Sequence, residues 1–110
     1  MSKRDSHELL IDDIIECGDK ILRYTHNMSY DDFASNDLVL DAVIRNFEII
    51  GEAANRLSDD FKDLYPTIEW HRIRGFRNRI VHDYAGVDTT IVWGIITNFL
   101  PDMLIRLKSI

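Results

Sequence analysis

The chain has 110 residues, 45% hydrophobic and 29% charged, with one cysteine and a formal net charge of −6. This composition excludes disordered and collagen-like chains, and the acidic balance argues against general coating of nucleic acid. A lone Cys17 excludes a disulfide framework and is expected as a buried or half-buried thiol. The length favours a single domain over 1–110 with a thin core, for which association is a natural source of further stability. No run approaches the roughly 20 apolar residues of a membrane span. No apolar signal-peptide core follows the N-terminal Met-Ser-Lys-Arg-Asp, so a soluble cytoplasmic protein is expected.

Helical periodicity runs through nearly the whole chain. Leu10, Ile11, Ile14, Ile15, Gly18, Ile21 and Leu22 recur at three- and four-residue spacing, and Asp12, Asp13, Glu16, Asp19 and Lys20 lie opposite. This predicts a first helix from about Asp5 to Tyr24. Ser29 with Asp32 three residues on resembles the cap of a short helical turn anchored by Phe33. Asn36 or Asp37 caps a second helix that reaches about Leu57. Its apolar residues cover more than one face, so it must be buried on more than one side, and a second subunit is one way to do so. The stretch Ser58–Pro66 interrupts the pattern. Pro66 pushes Tyr65 out of helical geometry and is placed to begin a third helix over about Thr67–Asp83, with Gly75 marking a close contact. Gly86 lies in the next turn, and Asp88 caps a fourth helix from near Thr89 to Leu107, kinked at Pro101. No strand alternation stands out. The expected fold is all-α, an up-and-down bundle of four main helices plus a short helical turn.

Charge is unevenly distributed. Residues 70–84 hold Arg72, Arg74, Arg77 and Arg79 against Asp83 alone, a balance of +3, so the remainder carries −9. An anion would therefore be held at one place. On a continuous helix, His71, Gly75, Asn78 and His82 fall along one line, and Arg77 lies roughly 140° around the axis from His82. Arginine binds phosphate through two parallel hydrogen bonds, and histidine transfers protons near neutral pH. Because RNA carries its own nucleophile in the 2′-hydroxyl, such a pair suffices for cleavage without a metal. The plain alternative is a solvated helix end. In it Arg79 and Asp83 form a weak surface pair, His82 favours the helix C-terminus and Tyr84 anchors the turn. Spacing alone leaves both readings open and favours the structural one.

Arg77-x4-His82-x-Tyr84 resembles the signature of the HepT-like proteins, a branch of the HEPN superfamily of small helical proteins. The resemblance extends to Ile50-Gly-Glu-Ala-Ala-Asn-Arg-Leu-Ser58, to Pro66, Trp70 and Gly75-Phe-Arg-Asn78, and to Val87-Asp88, Val92-Trp93 and Leu100-Pro101. It implies a HEPN-like homodimer whose paired motifs face a shared cleft. It also implies the toxin of a toxin–antitoxin pair, acting as a metal-independent ribonuclease, a hydrolase on tRNA or mRNA that needs no cofactor. Carried over by position, Arg77 stabilises the scissile phosphate, His82 transfers the proton and Asn78 orients the site. Tyr84 accepts AMP from an MntA-like nucleotidyltransferase antitoxin. Related HEPN domains also serve as non-catalytic subunits docking a nucleotidyltransferase, which is the alternative reading.

Other candidates are weaker. His71, Arg72 and Arg74 either extend an RNA-binding track or form a solvated face. Trp70 and Trp93 read as core or interface. His7 and His26 lack metal-ligand spacing, and Glu48 with Glu52 reads as a solvated or ion-paired face. No zinc pattern or phosphate-binding glycine loop occurs.

Overall fold

A computed structural model describes residues 6–82 and 86–110 of the chain. Among these, the elements are helices α1 (Ser6–Tyr24), α2 (Tyr30–Ala34), α3 (Asp37–Arg56), α4 (Asp59–Asp63), α5 (Trp70–Arg74), α6 (Phe76–Ile80), α7 (Thr89–Asn98) and α8 (Leu100–Lys108). One short antiparallel pair, β1 (Val81–His82) with β2 (Gly86–Val87), completes the set. The all-α class expected from periodicity is what the chain adopts.

The two long helices, α1 and α3, pack along one another, α8 lies against α1, and α5 and α6 lie against α3. Ile14, Ile21, Val43, Phe47 and Ile50 are fully buried between these layers, as are Ile73, Phe76, Ile80, Leu100 and Leu107. Aromatic rings knit the far side of α3. Phe76 meets Phe47 edge-on at 5.3 Å and Phe99 at 5.5 Å. The double-sided apolar pattern of α3 is thereby explained within one chain, with α1 on one side and α5 and α6 on the other. Leu38 at its start stays 82% exposed. Gly18 in α1 lets α8 approach closely, because a Cβ there would lie 2.6 Å from a Leu104 methyl.

Local signals set most of the ends. Ser29 and Asp32 form a reciprocal capping box on α2. Asn36 caps α3 through Val39 N–H at 3.0 Å. Asp88 caps α7 by accepting from Thr90 N–H at 3.1 Å and Ile91 N–H at 3.2 Å. The Pro101 break is sharper than a kink within one helix. Phe99 ends α7, Pro101 sits in the first turn of α8, and the two axes bend by 43°. A proline at a helix start loses no hydrogen bond, so breaking there is cheaper than bending through it. No single helix among the described residues is long and apolar enough to cross a membrane.

Two expectations need correction. The region Ser58–Pro66 contains a helix of its own, α4, capped by Ser58 through Phe61 N–H. The third helix does not run unbroken from Thr67 to Asp83. The segment after Pro66 stays in turns until Trp70, whose indole N–H reaches the Lys62 and Tyr65 carbonyls, both at 3.2 Å. Gly75 then separates α5 from α6, and its amide closes α5 on the His71 carbonyl. The helix ends at Ile80, and β-branched Val81 enters the short β-pair, where extended geometry suits it.

Candidate active site

The helix line from His71 survives only in part. His71, Arg74, Gly75 and Asn78, from α5 and α6, form one wall of an open cleft of about 610 Å³. The other wall is a face of α3 carrying Glu48, Gly51, Glu52 and Asn55. Gly51 lies where the walls meet, and a Cβ there would stand at ordinary contact distance, 3.4 Å, from the Arg74 carbonyl oxygen. Among the described residues, no side-chain hydrogen bond or ion pair within 4.0 Å engages Glu48, Glu52, Asn55, His71, Arg74 or Asn78. The cleft is therefore lined by polar groups whose hydrogen-bonding capacity the fold does not use.

His82 leaves this line because its backbone belongs to β1, paired with Gly86 of β2. The four-residue helical relation between Asn78 and His82 therefore does not apply, nor does the angular relation between Arg77 and His82. Their sequence proximity is kept by a different device, a helix that runs directly into a strand. The hairpin is closed by Gly86 at a φ of +81°, a conformation other residues adopt at a cost. It is also closed by the Asp88 amide donating to the Ile80 carbonyl at 3.1 Å. Tyr84 and Asp83 lie outside the described residues, as do the side chains of Arg77 and His82.

Arg72 separates from His71 and Arg74. It points to a second hollow of about 420 Å³, which Glu69, Arg79, Asn98 and Phe99 also line. There it pairs with Glu69 at 3.0 Å and lies over the Phe99 ring at 4.3 Å. With its charge paired to Glu69 and its planar face on Phe99, it stands apart from His71 and Arg74. Trp70 is core, and Trp93 packs on Phe33 at 5.1 Å, as the sequence suggested.

Glu48 and Glu52, read from the sequence as a solvated or ion-paired face, and Asn55, which it did not single out, line the cleft. Their spacing of four and three places them on one helix face. The missing information was that α5 and α6 would stand opposite. Among the described residues no group of His, Cys, Asp and Glu forms a metal site.

Comparison with known proteins decides the family. The profile described as "Ribonuclease HepT-like" matches residues 14–110. The chain belongs to the HepT-like ribonuclease family. A candidate RNase of Methanocaldococcus jannaschii is 37% identical to it over 101 residues, covering 92% of each chain. A second candidate RNase of that organism is 34% identical over 110 residues, all of this chain and 90% of its own length. A probable ribonuclease HepT of Thermococcus cleftensis is 35% identical over 98 residues, 89% of each chain. No solved structure matches the chain. The HepT-like assignment agrees with the HEPN-like helical fold, and it gives the polar cleft beside α6 a chemical context.

Proposed function

We propose that the protein is a metal-independent ribonuclease acting in the cytoplasm as a homodimer. It is the toxin of a pair whose antitoxin is an MntA-like nucleotidyltransferase. The observation that carries this reading is the sequence Arg77-x4-His82-x-Tyr84 in a HepT-like chain, with unengaged His71, Arg74 and Asn78 lining a cleft beside α6. In the proposed reaction, His82 takes the proton of a ribose 2′-hydroxyl, whose oxygen attacks the adjacent phosphorus. Arg77 neutralises charge on the pentacovalent phosphate, and Asn78 orients the reacting groups. The bond to the 5′-oxygen breaks, a proton returns to that oxygen, and a 2′,3′-cyclic phosphate and a 5′-hydroxyl remain. Arg74 supplies positive charge and His71 a ring nitrogen for hydrogen bonding along the RNA backbone, tRNA or mRNA.

Transfer of AMP from ATP to the Tyr84 hydroxyl, with release of pyrophosphate, adds bulk and negative charge within the motif. Both oppose RNA phosphate. The test is cleavage of RNA by the purified protein in EDTA. His82→Ala is expected to lose about 10²–10⁴-fold in rate, and equal activity in the two proteins rejects the assignment.

The acidic wall formed by Glu48 and Glu52 favours a second reading, because carboxylates repel an RNA backbone. In that reading the chain is a non-catalytic subunit that docks the nucleotidyltransferase. Arg77→Ala then disturbs complex formation and AMP transfer while no RNA is cleaved by either protein.

A further inference from the structure

Short helix α2 has no part in the reaction proposed above, yet it is tied to the segment that carries the motif histidine. The Tyr30 hydroxyl stands 2.8 Å from the Thr89 hydroxyl and 3.3 Å from that of Thr90, across 59 and 60 residues of sequence. The acidity of Tyr30 is raised because both threonine hydroxyls can donate to its oxygen.

Thr89 and Thr90 are the first two residues of α7. Directly before them, Asp88 performs two tasks. Its side chain caps α7, and its amide donates to the Ile80 carbonyl at 3.1 Å. Two residues beyond Ile80 stands His82, and two residues before Asp88 stands Gly86, and these two pair across the ladder. A continuous path therefore runs from Tyr30 through Thr89 and Asp88 to the strand that holds His82.

The ring of Tyr30 is held independently of its hydroxyl. It meets Trp93 edge-on at 6.3 Å, and Trp93 packs on the fully buried Phe33 of the same short helix. The capping box of Ser29 and Asp32 fixes the start of α2. The hydroxyl is thus aimed at α7 by a rigid mount and can be removed without disturbing that mount.

We propose that Tyr30 is a positioning residue for the cleavage reaction: by holding Thr89 and Thr90 it fixes the start of α7, and through it the strand against which His82 is paired. The proposal rests on the ribonuclease reading given above. Tyr30 touches no reacting group, and its effect is on the fraction of time in which His82 is held in place.

The test uses the full chain with Tyr30→Phe, Thr89→Val and the double variant. Loss of the tie is expected to speed hydrogen exchange at the Asp88 amide about fivefold and to lower kcat on RNA by about twofold, since the share of time His82 is held falls by less than the opening rises. The KM for RNA stays within about twofold, because no binding group is removed. The double variant should match Tyr30→Phe, and Thr89→Val, which leaves the Thr90 hydroxyl within reach of Tyr30, should lose no more than Tyr30→Phe does. Unchanged exchange at Asp88 overturns the proposal, and so does faster exchange with unchanged kcat. A loss confined to KM also overturns it. If the wild-type chain cleaves no RNA, it is the ribonuclease reading that fails, and the positioning role falls with it. The exchange comparison, which needs no RNA, still reports on the tie itself.

Discussion

Phe76 joins the core to the candidate site, since it is the first residue of α6, lies buried in the core and directly precedes Arg77. It is fully buried and makes edge-to-face contacts with Phe47 at 5.3 Å and Phe99 at 5.5 Å. Phe76→Leu keeps an apolar side chain but removes both ring contacts. Each such pair contributes about 0.5–1.5 kcal/mol beyond simple burial, and the smaller side chain leaves unfilled space. The expected cost is therefore about 2–3 kcal/mol. Against a total of about 5–15 kcal/mol, the variant should remain folded in water. With a urea dependence of about 1–3 kcal/mol per molar, the unfolding midpoint should fall by about 1–2 M. Equilibrium urea unfolding followed by far-UV circular dichroism measures this directly. A fall of less than about 0.3 M refutes the claim that the Phe47–Phe76–Phe99 stack is a main support of α6. An unchanged slope shows that the loss is one of native stability and not of a looser native state.

Arg74→Ala should weaken RNA binding and lower the salt slope of that binding by about one unit. Arg72→Ala should leave the slope unchanged, because Arg72 is engaged by Glu69 and Phe99; filter binding at several salt concentrations separates the two. Asp88→Ala removes the α7 cap and should cost about 1 kcal/mol by thermal or urea unfolding. Burial pushes the Cys17 thiol above its ordinary range, so its contribution is complete below the unfolded thiol value of about 8.5 and is lost as pH rises through the folded value. Wild type should accordingly lose more stability between pH 7.5 and 10 than Cys17→Ala does, as read from urea midpoints, and native Cys17 should react slowly with a thiol reagent until urea unfolds the chain.

Local chemistry explains why so much of the fold was legible. The stripe of Leu10, Ile14 and Ile21, the capping box at Ser29, the caps at Asn36 and Asp88 and the break at Pro101 are short-range signals. Their physical causes lie within a few residues of each position. The grouping of His71, Gly75 and Asn78 was legible for the same reason, because they share one side of the α5–α6 run. The family resemblance was carried by residues spread along the chain, and the HepT-like match bears it out.

The sequence by itself determined an all-α chain, the place of most helix ends and the crowding of cationic and proton-transferring groups between Trp70 and Tyr84. Tertiary structure alone decided where the helical run stops. Ile80 and Val81 carry no strong stop signal, and pairing with Gly86 and Val87 draws His82 out of the helix. It alone set Glu48, Glu52 and Asn55 opposite Arg74, and turned Arg72 away to Glu69 and Phe99. Helix periodicity tells which residues share a face. What that face meets depends on the packing of distant segments, and there the pairing of α3 with α5 and α6 made the cleft.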